Sequence, residues 1–358
     1  MNTSPTHKDE PTMKVVDNFH GRHNYYIHDV QYDFYGQRLA TCSSDQKIKV
    51  WDLENGTWNS KYEWKAQNGS IWKVQWAHPE FGQVLASCSF DHTCCIWEEP
   101  PEEPPKRINS QEKSQQERAW VLKATLVDST QSVVDIKFAP KHLGLQLATC
   151  SLDGNVRIYE ALDVMNLAYW TAQHFELQGC VATCVSWNPS RSEEPTVVVG
   201  CNDGSVKIWR QNTNTNAKSW HMLPITLNGH NGHPIHDVSW APNMGRSYHL
   251  IASACKDGTA RIWNISIPNK NQTENVTLTN GVPKKNITPQ QVTCKVIDDH
   301  HAEVWRVEWN VIGTVLATSG DDGTVRVWKY KIGTKDWICD AVLKNEALHT
   351  SKMAVNNV

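Results

Sequence analysis

The chain has 358 residues, 39% of them hydrophobic, and 35 Lys plus Arg nearly balance 38 Asp plus Glu, for a formal net charge of -3 at pH 7. That balance excludes chain-wide electrostatic attraction to nucleic acid or anionic lipid, so no direct nucleic-acid binding is expected. No run of about 18 apolar residues exists to form a transmembrane segment, and the polar start MNTSPTHKDEPTMK lacks the apolar core of a signal peptide, so the chain reads as intracellular and soluble.

Residues 1–13 are expected to be disordered, and Lys14, Val15, Val16, Asp17, Asn18 and Phe19 read as a short strand. A unit then repeats up to residue 344. Each copy opens on a short strand of period two, with His28, Val30, Tyr32 in the first and Trp72, Val74, Trp76 in the second; Val134, Ile136, Phe138 and Thr183, Val185, Trp187 follow, then His236, Val238, Trp240 and Trp305, Val307, Trp309. Alternation of this kind predicts one face of a β-strand turned inward against a neighbouring sheet. A second strand of small residues follows, such as Leu39-Ala40-Thr41-Cys42 and Leu316-Ala317-Thr318-Ser319, and then a β-branched third strand such as Ile48-Lys49-Val50-Trp51. Asp-Gly pairs at 153–154, 203–204, 257–258 and 322–323 supply the tight turn between them.

Each copy closes on an aspartate followed six residues later by an aromatic ring: Asp45/Trp51, Asp91/Trp97, Asp153/Tyr159, Asp203/Trp209, Asp257/Trp263 and Asp322/Trp328. A repeat of about 40 to 45 residues ending near Trp-Asp is the signature of a four-stranded propeller blade. The predicted fold is therefore all-β, a six-bladed WD-repeat β-propeller in a single domain over 14–344, with a polar tail over 345–358. Two inserts, about 99–118 and 266–292, are too poor in apolar residues to form a core and are expected to be mobile surface loops. Cys42, Cys88 and Cys150 each stand three residues before a repeat aspartate, so the 11 cysteines read as reduced core residues.

A histidine and a hydroxyl accompany the Asp/Trp pair, most fully in His23, Thr41, Asp45, Trp51 and in His300, Thr318, Asp322, Trp328. Ser87, Thr149 and Ser253 hold the hydroxyl position of the second, third and fifth copies, Gln67 and Ser129 stand in the histidine position of the second and third, and Val199 replaces the hydroxyl of the fourth. Ser, His and Asp together invite a hydrolase reading. A hydroxyl on a buried strand beside an indole donor instead predicts rows of internal hydrogen bonds, and an enzyme needs one preorganised site rather than several copies. No GxSxG, phosphate-cradling or HExxH motif occurs, and Cys180/Cys184 and Cys94/Cys95 lack second ligand pairs at zinc spacing. No catalytic residue, cofactor or metal is expected.

Propellers of this type usually have seven blades. Residues 337–343 already read as the fourth strand of the sixth blade, which leaves Lys14–Phe19 over. Either the six blades leave a gap, where an orphan strand and unpaired backbone invite a partner's strands, or they close on themselves.

The segments IHDVQYDFYGQRLATCSSDQKIKVWD (27–52), WAHPEFGQVLASCSFDHTCCIWEE (76–99), KFAPKHLGLQLATCSLDGNVRIYEALDVMNL (137–167), WAPNMGRSYHLIASACKDG (240–258) and EVWRVEWNVIGTVLATSGDDGTVRVWK (303–329) closely resemble the nucleoporin Seh-one family, over about residues 20–344. Glu160–Leu167 sets the chain apart from the sister Sec-thirteen propeller of the vesicle coat and nuclear pore. The resemblance implies an open propeller with a gap for a seventh blade supplied in trans. It also implies a non-enzymatic scaffold of the nuclear pore Y-complex that supports nucleocytoplasmic transport. The implied partners are a helical scaffold nucleoporin resembling Nup-eighty-five and a Mio-like subunit of the lysosomal GATOR complex in TOR signalling, without an obligate homo-oligomer. Implied locations are the nuclear envelope and pore, the lysosomal or vacuolar membrane peripherally, and the cytoplasm. Partner-binding residues would be Lys14 to Phe19, with His28, Val30, Tyr32 and Trp305, Val307, Trp309 placed beside the gap by blade order. The alternatives are a vesicle-coat cage subunit and a closed propeller that captures peptides as an adaptor.

Overall fold

The computed structural model of the chain describes residues 19–100, 119–212, 218–225, 227–266, 276–279, 282–285 and 292–344. Lys14–Asn18, most of both inserts and the 345–358 tail lie outside these residues. The chain is all-β and carries the six blades of a β-propeller. Among the described residues no helix is long and apolar enough to cross a membrane.

The chain divides into two compact units, residues 19–187 with 210–221 and residues 188–209 with 222–344. In the first, blade one is β1 (Ile27–Tyr32), β2 (Arg38–Ser43), β3 (Lys47–Glu54) and β4 (Thr57–Lys65). Blade two is β5 (Ile71–Trp76), β6 (Val84–Ser89), β7 (Cys94–Glu98) and β8 (Val121–Leu126). Blade three is β9 (Val133–Phe138), β10 (Gln146–Ser151), β11 (Asn155–Ala161) and β12 (Trp170–Glu176). The fourth repeat, β13 (Ala182–Trp187), β14 (Thr196–Cys201), β15 (Ser205–Asn212), β16 (Ser219–Met222) and β17 (Leu227–Asn228), is divided between the units.

In the second unit, blade five is β18 (Ile235–Trp240), β19 (His249–Cys255) and β20 (Ala260–Ile265), completed after a small hairpin of β21 (Val276–Thr279) and β22 (Val282–Lys285) by β23 (Val292–Ile297). Blade six is β24 (Val304–Trp309), β25 (Val315–Gly320), β26 (Thr324–Lys331) and β27 (Asp336–Lys344). Blades one, two, three, five and six are antiparallel meanders hydrogen-bonded in chain order. The hairpin pairs Val276 with Lys285 and Thr279 with Val282 inside the second insert.

The turn between the second and third strands of each blade uses a left-handed residue. Gly154 and Gly323 take it at φ 83 and 70, while Gln46 and His92 hold it in blades one and two at φ 68 and 71. Core clusters lie between adjacent blades. Ala40, Cys42, Ile48 and Val50 of blade one pack on Ile71, Val74, Leu85 and Trp97 of blade two. Ala252, Ala254, Ala260 and Ile262 of blade five likewise pack on Val304, Val307, Leu316 and Trp328 of blade six. Each fully buried Val, Leu or Ile contributes roughly 1.5–3 kcal/mol, so neighbouring blades stabilise one another more than any isolated sheet could.

A bulge recurs in the first strand. The register shifts between Ile27 and Asp29, Ile71 and Lys73, Ile235 and Asp237, and Val304 and Arg306. The extra residue at the second position (His28, Trp72, His236, Trp305) interrupts the two-residue alternation, so the first, fourth and sixth positions share one face and the third and fifth the other. Nine cysteines are buried, Cys339 is half-buried and Cys294 is exposed.

Candidate partner-binding site

The repeated polar residues form hydrogen-bonded rows inside the blades. His23 Nδ1 lies 2.9 Å from Asp45 Oδ2 and its Nε2 2.9 Å from Thr41 Oγ1, which also accepts from Trp51 Nε1 at 3.1 Å. His230, Asp257, Ser253 and Trp263 repeat this at 3.1, 2.8 and 2.9 Å, and His300, Asp322, Thr318 and Trp328 at 3.0, 2.7 and 3.0 Å. The order is that of a base-activated nucleophile. Here, however, the hydroxyl lone pair is taken by an indole and both Ser253 and His230 are fully buried, so no substrate atom can approach. Burial pushes the His23 and His230 imidazoles down, against the opposing pull of Asp45 and Asp257. Burial alone would raise the Asp322 carboxyl, but hydrogen bonds from Thr324 and His300 outweigh it and hold the group at about 2.

The remaining rows vary. In blade two, Gln67 accepts from Ser87 at 2.9 Å and donates to Thr93 at 2.8 Å, Thr93 donates to Asp91 at 2.6 Å, and Trp97 donates to Ser87 at 2.9 Å. In blade three, Arg157 replaces histidine as the partner of Asp153, at 2.8 Å, and reaches Ser129 at 3.2 Å. Tyr159 turns its hydroxyl to Asp128 at 3.0 Å, and the buried Thr149 hydroxyl has no hydrogen-bond partner among the described residues. In the fourth repeat Asp203 accepts from Ser205 at 2.6 Å, and the Trp209 ring is half-buried. Sequence reading missed Arg157 and also His230, although His230 precedes Asp257 much as His23 precedes Asp45.

Adjacent blades are held by a second recurring contact. Asp29 accepts the Val74 N–H at 3.3 Å while the Gln31 carbonyl accepts the Trp76 indole at 3.0 Å. Asp135 and Lys137 do the same for Val185 and Trp187 at 2.8 and 2.9 Å, and Asp237 and Ser239 for Val307 and Trp309, both at 3.1 Å. The third and fifth positions of a first strand thus hold the next blade. The first, fourth and sixth positions receive the previous one.

On blade one the receiving positions are open. Ile27, Val30 and Tyr32 are 43%, 46% and 59% exposed, whereas Ile71 and Val74 of blade two and Val304 and Val307 of blade six are at most 1% exposed. The face continues outward as an aromatic floor. Phe19 stands 5.1 Å from the Trp51 ring and 6.0 Å from Trp58, and Tyr32 lies 5.8 Å from Trp58. On blade six the face turned from blade five carries Arg306 and Glu308 on β24, with Val325 and Ile338 exposed. Ala260, at the register of Val325 in blade five, is fully buried.

The structure corrects part of the predicted flank. Val307 and Trp309 are buried against blade five, so they belong to the wrong face of blade six. Trp305 and His28 are bulge residues; Trp305 stacks on His236 at 4.0 Å and His28 packs on Trp72 at 4.6 Å. Strict alternation through 28, 30, 32 and 305, 307, 309 overlooked the bulge. Val30, Tyr32 and Phe19 are exposed, and Lys14, Val15, Val16, Asp17 and Asn18 lie outside the described residues. Sequence reading did not single out Ile27, 43% exposed on the same strand, or Trp58, whose ring meets Phe19 and Tyr32.

The family model described as WD domain, G-beta repeat matches residues 13–52, 58–98, 120–160, 172–210, 223–264 and 291–329. Nucleoporin SEH1 of Homo sapiens is 47% identical over 346 residues, covering 93% of this chain and 89% of that protein. Nucleoporin SEH1-A of Xenopus laevis is 47% identical over 345 residues with the same coverage, and Nucleoporin SEH1 of Danio rerio 45% over 345 residues, covering 93% of this chain and 88% of its own length. Six WD repeats and this identity over nearly the whole length establish that the chain belongs to the SEH1 family of WD-repeat nucleoporins.

Proposed function

We propose that this chain is a non-enzymatic scaffold subunit of the nuclear pore whose propeller is completed by strands from a helical partner. The exposure of Ile27, Val30 and Tyr32, at positions that other blades bury against a neighbour, carries the reading. An apolar face of this kind, floored by aromatic rings, is a surface built to be covered. Three partner strands, joined by residues 14–19, would make a seventh four-stranded blade by β-addition. The partner of this reading is a scaffold nucleoporin resembling Nup-eighty-five within the Y-complex, and a Mio-like GATOR subunit would use the same face at the lysosomal membrane. The chain would then sit at the nuclear envelope, with lysosomal and cytoplasmic pools.

The test is thermal unfolding of the purified chain with the N-terminal β-segment of each partner. A segment that binds only the folded chain, present at about 100 times its Kd, raises the unfolding free energy by about 2.7 kcal/mol. Unchanged melting with every such segment would reject the reading. A fluorescent fusion separates the locations, since a nuclear rim supports the pore assignment and endoplasmic reticulum exit sites would favour a vesicle coat.

A further inference from the structure

Blade five builds the row of blades one and six with one difference. The residue two before the row aspartate is Ser43 in blade one, whose Oγ accepts the Asp45 N–H at 3.1 Å, and Gly320 in blade six. In blade five it is Cys255, whose Sγ accepts the Asp257 N–H at 3.4 Å. A thiol thus joins the row histidine and aspartate. His230 Nδ1, Cys255 Sγ and a carboxylate oxygen of Asp257 all lie within 4.8 Å of one another. His230 and Cys255 are fully buried, and Asp257 is partly so.

The set has the composition and spacing of a zinc site. Tetrahedral zinc holds nitrogen and oxygen at about 2.0–2.2 Å and sulfur at about 2.3 Å, which places neighbouring ligand atoms about 3.3–3.5 Å apart. His230 Nδ1 and Asp257 Oδ2 already stand 3.1 Å apart. An outer partner is also in place, because His230 Nε2 meets Ser253 Oγ at 2.8 Å, the kind of second bond that fixes the ring and tautomer of a metal-bound imidazole. A thiolate and a carboxylate together neutralise a divalent ion, so the loaded site brings no net charge into the blade. Entry is from the Asp257 end. An open cleft of about 490 Å³ reaches Asp257 and Thr259, and its carboxylates, Asp257, Asp298 and Glu303, outnumber its one lysine, Lys256.

We propose that His230, Cys255 and Asp257 form a zinc site, with water from the cleft in the fourth position. A soft thiolate beside an imidazole selects zinc over magnesium or calcium, which take oxygen ligands. Without the ion, burial pushes the Cys255 thiol up to about 12, and its S–H donates toward the His233 and Pro234 carbonyls at 3.4 and 3.2 Å. On loading, the sulfur–zinc bond forms as the S–H proton leaves for solvent, about one per ion, and the imidazole carries its proton on Nε2.

The test is binding of Zn2+ to the reduced, chelator-treated full chain, with Co2+ as the spectroscopic probe. One Zn2+ should bind, and Co2+ should give a thiolate-to-cobalt charge-transfer band. Cys255→Ser copies blade one and so keeps the row; it should lose the band and weaken zinc binding about 100-fold or more, since outer partners alone are worth about 10–100-fold. Cys294→Ser removes the exposed thiol and should change neither. Melting of each metal-free variant checks that it folds. A second measurement needs no variant: in mild urea, zinc should slow alkylation of Cys255 in the wild type, read by mass spectrometry, and leave the rate at buried Cys42 unchanged. Absence of zinc binding, a band that survives Cys255→Ser, or equal labelling of Cys255 with and without zinc overturns the proposal and marks any bound zinc as an adventitious ion only.

Discussion

Ser253 accepts from the Trp263 indole and pairs with His230, both buried. Ser253→Ala strands an indole donor and an imidazole nitrogen away from water, at a cost of about 2 kcal/mol. Thr149 sits on the corresponding strand of blade three, but its buried hydroxyl has no such partner. Thr149→Val should therefore be neutral or slightly stabilising, within about 0.5 kcal/mol, because it removes an uncompensated polar group and keeps the shape. Urea unfolding of the two variants checks both, and equal losses would mean that the rows are not what holds these side chains. The sequence makes the Asp-to-Trp interval visible because both ends are fixed by one strand and one turn. It does not reveal that Arg157 replaces histidine in blade three, since that pairing depends on how a long side chain curls back to Asp153.

At the scale of the strand, the contact between blades is as regular as the row within one, yet it went unread. It links residues such as Asp135 and Val185, fifty positions apart, and alternation alone places the wrong residues on each face once a bulge is present. Asp135→Ala removes the acceptor of the Val185 N–H and the carboxylate 3.5 Å from Lys73 Nζ in a poorly solvated junction. The expected loss is about 3 kcal/mol, and adding Lys73→Met should recover part of it by removing a largely buried charge that has lost this carboxylate. Denaturant midpoints measure both effects, and a double variant no more stable than the single one would show that the lysine does not sense the carboxylate. The polar composition of the second insert likewise concealed the two short strands of the β21–β22 hairpin.

Over the molecule as a whole, the six repeats were legible because each blade is a local meander whose pairings lie close in sequence. The exposed face of blade one was foreshadowed by a count of six where seven are usual, by the leftover segment Lys14–Phe19 and by the family resemblance. Its residues became identifiable once buried and exposed counterparts could be compared position by position. Repetition also gives the molecule a collective response to acid. Burial alone would raise Asp153, but Arg157 and the Thr130 and Asn155 amides outweigh it and hold the carboxyl at about 2, like Asp322. A carboxyl lowered in the folded state adds stability that is complete above its ordinary value and lost as pH falls toward the lowered one. The lowered imidazoles of His23 and His230 act with the same sign, adding stability above their ordinary value that is lost as pH falls through their depressed ones. Melting temperature should thus fall as pH drops below about 6.5 and most steeply between about 4 and 2. A melting temperature unchanged from pH 7 to 3 would contradict this.

The buried cysteines make the chain its own gauge of mechanical integrity. Cys42, Cys88, Cys150, Cys201 and Cys255 mark the second strands of five successive repeats, and Cys294 alone is exposed. Burial raises the Cys42, Cys88 and Cys255 thiols, which disfavours the thiolate that alkylating agents attack. In the folded chain a thiol reagent should meet Cys294 first, and every later modification would time-stamp the loosening of a particular blade.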